Sequence, residues 1–278
     1  MKINEQRRII FVQVLSMQQV QIIKEPYAAA RFCGPEKASF ADDAEFHQNL
    51  NASTSSPSQP NGNIYDDTIC TYSWVKETLE ANYSGKNFVI CHDQAYCLGG
   101  RYEDLPRGYR HTFLIRHPHK LLPSWKKQLL KLMPSYSHRP FGDLPMLPAK
   151  YGYGELYDLM EALRLSGDEE NPVIIDADDL QKNPQSILRQ YLHLLGIPFS
   201  QSLLEWDSGD EVMKSWIMSK RFYEDVTSSG WFSVALESRT FGPPYDLPIR
   251  DQLDADILPL VEASKPYYSK MHSLRIKP

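Results

Sequence analysis

Short apolar runs bounded by polar turns alternate along this chain with longer stretches in which apolar residues recur at helical spacing. Val20–Lys24 (VQIIK) predicts a strand that Pro26 stops. Asn87–Cys91, after a Gly-Lys turn, predicts a buried strand. Tyr109–Ile115 predicts another, ended by His117-Pro118, and Pro172–Asp176 a further one. Helices are predicted over Glu5–Gln19, Tyr72–Tyr83, Lys120–Met133, Tyr153–Leu165, Pro184–Leu195, Glu211–Phe222 and Asp251–His272, the last interrupted by Pro259 and Pro266. The helix at Pro184 has the clearest ends: Asn183 can cap it, proline suits the first helical position, and Gly196 closes it.

Leu50–Asn63 is rich in Ser, Pro, Asn and Gly and reads as a mobile loop. Pro134–Pro148 reads as a Pro-rich surface excursion. Apolar strands alternating with helices imply an α/β fold whose parallel sheet is flanked by helices on both faces. In such sheets ligands bind beyond the carboxyl ends of the strands. The positions of interest are therefore Glu25, His92-Asp93, Arg116 to Ser124, and Asp176 to Asp179.

Composition narrows the class without changing that picture. The 278 residues are 42% hydrophobic and 23% charged, an ordinary globular balance, read as one domain over 1–278. The net charge of −5 and the lack of a basic stripe argue against a nucleic-acid partner; Lys126, Lys127 and Lys131 read as one helix face. The four cysteines form no CxxC pair, which argues against a zinc ribbon or redox dithiol and for reduced thiols in the cytoplasm. The polar Met1–Arg8 does not resemble a signal peptide. No apolar run approaches the roughly 20 residues that span a bilayer, so no membrane association is expected.

The most informative segment is Phe113-Leu-Ile-Arg-His-Pro-His-Lys-Leu-Leu-Pro-Ser-Trp125. A strand delivers Arg116 to the sheet edge, Pro118 ends it, a helix follows one or two residues later, and Ser124 lies about one turn into that helix. A guanidinium fork and a hydroxyl near a helix N-terminus can converge on one phosphate. Equally, a carboxylate can hold Arg116 while Ser124 lies on the helix surface.

Arg-x-Pro with Ser eight residues after the Arg resembles the 3′-phosphate segment of sulfotransferases that use PAPS (3′-phosphoadenylyl sulfate). Further phrases in the same order resemble a divergent branch of that family: Glu25-Pro26-Tyr27 with Gly34-Pro35-Glu36, Val173 to Phe199, and Gly230-Trp231 with Ala235-Leu-Glu-Ser238 and Phe241. The resemblance covers most of the chain from about residue 9. It implies a P-loop-type α/β fold, PAPS as donor, no metal, and a small-molecule hydroxyl or amine as acceptor. It also implies that Arg116 and Ser124 contact the donor, and Trp231, after Ser229-Gly230, reads as a further cofactor-binding candidate that lines an adenine or acceptor pocket, or else as plain core.

The chain departs from that family twice. A first strand and a Pro-Arg-Ser-Gly-Ser-Thr-like loop that cradles a 5′-phosphosulfate are missing ahead of Glu5–Gln19, which matches the helix that follows the loop in the family. Either the sequence starts late or the donor grip is lost. The second departure is His92, which stands where the family often has a Lys that contacts the sulfuryl group. A histidine there can deprotonate an acceptor hydroxyl or serve structure alone, and Asp93 can orient it or cap the next element.

The remaining candidates read as structural. Asp176, Asp178 and Asp179 read as a turn and helix cap rather than a magnesium site, and His117 and His119 as positive charge near the 3′-phosphate rather than a metal pair. No GxSxG, HExxH or complete Walker A loop is present. Two functions follow: a sulfotransferase-like enzyme tailoring a small molecule, or a truncated, catalytically inactive relative acting as a binding or accessory protein.

Overall fold

The computed structural model describes residues 19–39, 63–228, 236–242 and 246–278. The predicted helix over Glu5–Gln19 (but for Gln19), the predicted loop Leu50–Asn63 (but for Asn63) and Trp231 lie outside the described residues.

Strand β1 (Val20–Lys24) is buried along its whole length. Pro26 ends it and opens helix α1 (Pro26–Phe32), in keeping with proline's fit at a helix start. Sequence pattern alone does not mark α1, because its Ala28-Ala-Ala30 core is buried all round and has no helical period. Gly34, just after α1, lets the chain pass Cys70: a Cβ there would stand 2.1 Å from the Cys70 carbonyl oxygen. The next elements are β2 (Ile64–Tyr65), α2 (Tyr72–Glu80, capped by the Thr71 side chain), β3 (Phe88–His92) and β4 (Thr112–Ile115). They are followed by α3 (Pro118–Leu132), α4 (Tyr153–Ser166), β5 (Val173–Asp176), α5 (Ala177–Lys182) and α6 (Pro184–Leu194). The last are β6 (Ile217–Ser219), α7 (Lys220–Ser228) and α8 (Leu258–Leu274).

The described strands pair only in parallel, as the alternation of strands and helices implies. They form a four-stranded sheet in the order β2-β6-β1-β3 and a two-stranded sheet, β4-β5. The β1–β3 register sets Lys24 beside His92 at the carboxyl ends. Strands β3 and β4 are not paired with each other. They face one another across two adjoining cavities of about 200 and 670 Å³, both lined by Ile90, Cys91, Thr112 and Tyr191. Strand β3 is accordingly only half-buried, while β1 beside it is sealed.

Three predicted elements differ. Glu211–Phe222 is not one helix: a 3-10 turn at Glu211–Ser215 leads into β6, and α7 starts only at Lys220. Trp216 and Met218 are both buried at two-residue spacing, and ladder pairing to β1 and β2 overrides the local pattern. Helix α8 begins at Leu258, so Pro259 sits in its first turn, where it is tolerated, and Pro266 lies inside the helix without ending it. Helix α6 begins at Pro184 as predicted, but Asn183 makes no side-chain cap.

Candidate functional site

The carboxyl ends of β3, β4 and β5 meet around the smaller cavity, whose lining includes His92, Asp93, Gln94, Arg116 and Tyr153. Arg116 directly follows β4, is 6% exposed, and has its carbonyl held by the Tyr153 hydroxyl, which donates at 2.8 Å. Tyr153 comes from the first residue of α4, so that helix fixes where β4 ends.

Ser124 stands differently from its predicted place. Helix α3 begins at Pro118 itself, so Ser124 is in the second turn, buried, and the cavity lining does not take it in. The cause is the His117 side chain, which caps the helix by accepting the His119 N–H and so starts it early. His117 also departs from the expectation of positive charge. Burial, first, and then His119 push it down to about 4, so it is neutral near pH 7. His119 is committed to structure through Nδ1–H, which donates to the Pro248 carbonyl at 2.7 Å.

On the β3 side, Asp93 accepts backbone N–H groups from Tyr27 (2.6 Å) and Gln94 (2.7 Å). It thus ties the start of α1 to the end of β3. Burial, and next the Glu25 carboxylate, push its carboxyl up to about 8, against the pull of those two N–H groups. His92 turns its Nδ1 toward β1, where Lys24 Nζ lies 3.2 Å away and Glu25 Oε1 3.6 Å away. Lys24 also pairs with the Glu25 carboxylate. Sequence reasoning flagged Glu25 as a strand-end residue but missed Lys24. The only local signal was a lysine closing an apolar strand, and its nearness to His92 follows from strand order.

The acidic turn after β5 is structural. Asp176 caps α5 by accepting the Asp178 and Asp179 N–H groups and takes the Tyr268 hydroxyl at 2.9 Å. Asp178 pairs with Lys120 at 2.9 Å and Asp179 with Arg275 at 2.6 Å. Among the described residues no group of three or more His, Cys, Asp or Glu is placed to hold a metal ion, and no helix is long and apolar enough to cross a membrane.

Two curated Arabidopsis thaliana proteins resemble the chain. Branched-chain-amino-acid aminotransferase-like protein 2 is 32% identical over 149 residues, 53% of this chain and 23% of its own length. Branched-chain-amino-acid aminotransferase-like protein 1 is 30% identical over 204 residues, 72% of this chain and 31% of its own length. The chain thus spans less than a third of either relative. A solved sulfotransferase domain from the curacin biosynthetic pathway aligns over 93% of this chain and 98% of its own, at 15% identity and a TM-score of 0.40. A family model described as a sulfotransferase domain matches residues 162–274, from the end of α4 through α8. Over those residues the chain is similar to that sulfotransferase family.

Proposed function

We propose that the chain transfers a sulfuryl group from PAPS to a small-molecule hydroxyl or amine. The observation that carries this reading is the convergence of His92, Asp93 and Arg116 on one cavity at the carboxyl ends of parallel strands. When bound, PAPS supplies an activated sulfuryl group whose loss leaves the bisphosphate PAP. Arg116 would hold the 3′-phosphate through its guanidinium fork, helped by the tether from Tyr153. His92, beside the Lys24 ammonium, would meet the oxygens of the sulfuryl end. Asp93, protonated near neutral pH, adds little repulsion against an anionic donor. Ser124, buried in the second turn of α3, would add its hydroxyl to the hold on the same phosphate.

The test is thermal denaturation with and without millimolar PAP. At a hundredfold excess over Kd, binding stabilises by about 2.7 kcal/mol, a shift on the order of 5 °C in Tm. Arg116→Ala should abolish that shift, and no shift in the wild-type protein would remove the donor reading.

The second reading, a non-catalytic accessory domain, is favoured by the Glu25 carboxylate, which stands beside the position an anionic sulfuryl group would need. PAP binding without turnover of any supplied acceptor would support it.

A further inference from the structure

Lys24 is the last residue of an otherwise apolar strand and is 1% exposed. A buried ammonium persists only with partners. Its partners are the Glu25 carboxylate and His92 Nδ1. Glu25 in turn sits at φ 53°, ψ 46°, a left-handed conformation uncommon outside glycine. That conformation occurs where the chain turns from β1 into α1 and is strained for a residue with a side chain. A buried cation, a strained acidic residue and a histidine thus meet at one sheet edge.

The chemistry of these groups sets the histidine's proton. An ammonium has donors only, whereas a carboxylate has acceptors only. Both face His92 Nδ1, and the ammonium is the nearer, at 3.2 Å against 3.6 Å. A ring nitrogen that accepts from Lys24 carries no proton, so the proton of the neutral imidazole lies on Nε2. We infer that Lys24 is a positioning residue that locks His92 in its Nε2–H tautomer, with the Glu25 carboxylate as its buried counter-charge. His92 therefore enters the cavity as a hydrogen-bond donor to an oxygen of the bound ligand, not as a base. The assignment of that oxygen to a phosphosulfate rests on the sulfuryl-transfer reading; the tautomer does not.

The experiment is a long-range proton–nitrogen NMR correlation of the histidine rings in the full chain, with the His92 signals assigned by their loss in His92→Gln. The expected wild-type pattern is an unprotonated Nδ1 and a protonated Nε2. In Lys24→Met the remaining neighbour of Nδ1 is an acceptor, so the proton should move to Nδ1 and the pattern invert. In Glu25→Gln the Lys24 donor stays and the Nε2–H pattern should persist. A wild-type Nδ1–H overturns the proposal, as does a Lys24→Met spectrum unchanged from wild type. Should Lys24→Met fail to fold, the wild-type and Glu25→Gln spectra decide, and inversion in Glu25→Gln also overturns it. PAP binding is read separately: a chain that shows the expected tautomer yet binds no PAP keeps this inference and loses the donor reading.

Discussion

The Tyr153 hydroxyl donates to the Arg116 carbonyl at 2.8 Å, so a helix tethers the end of a strand at a residue that lines the cavity. Tyr153→Phe removes the donor and little volume. The buried carbonyl loses that partner, and denaturant unfolding should show a loss of about 1–2 kcal/mol. PAP affinity should also fall, because Arg116 loses its tether.

Arg116 itself separates charge from shape. Arg116→Lys keeps the positive charge but not the planar fork. Isothermal titration with PAP should therefore show affinity lower by roughly ten- to a hundredfold, whereas Arg116→Ala should abolish measurable binding. Equal affinity in Arg116→Lys and wild type would mean that no bidentate contact is made.

Asp93 gives the stability a pH slope of definite sign. Its folded-state value, about 8, lies above the unfolded value of about 3.9. The folded state therefore binds more protons between the two. Stability from this group is complete below about pH 4 and is lost as pH rises toward 8. Asp93→Asn should flatten that slope in urea titrations run from pH 4 to 8. It should also lower stability at the acid end, because an amide has one oxygen for the two N–H groups of Tyr27 and Gln94.

Gly34→Ala tests the close passage of α1 and the segment before α2. The new methyl would meet the Cys70 carbonyl, a backbone atom that cannot swing away. The expected loss is about 2–3 kcal/mol or more, read as a drop in Tm, with PAP affinity unchanged if the strand ends stay in place.

Much of this fold was legible because strand cores announce themselves. VQIIK, NFVIC and PVIID are short apolar runs between turn residues, and each became a strand. Strand β6 escaped because three residues flanked by a 3-10 turn and a helix carry too little period to read alone. In the site, His92, Asp93 and Arg116 were legible as strand-end residues, a rule that needs no knowledge of which strands are neighbours. Lys24 was not, since its contact with His92 exists only because β1 lies beside β3. The depth of Ser124 in α3 turned on one cap, His117, that starts the helix early.

The split between β3 and β4 divides the amides of the sheet into two populations. Along a parallel strand, successive N–H groups point to opposite edges. Those of β3 that point toward β1 are locked in its ladder, while those that point toward the β4 side meet no strand among the described residues. Neighbouring amides within one five-residue strand should therefore exchange their hydrogens at widely different rates. The same contrast should recur in β4, protected only on its β5 side.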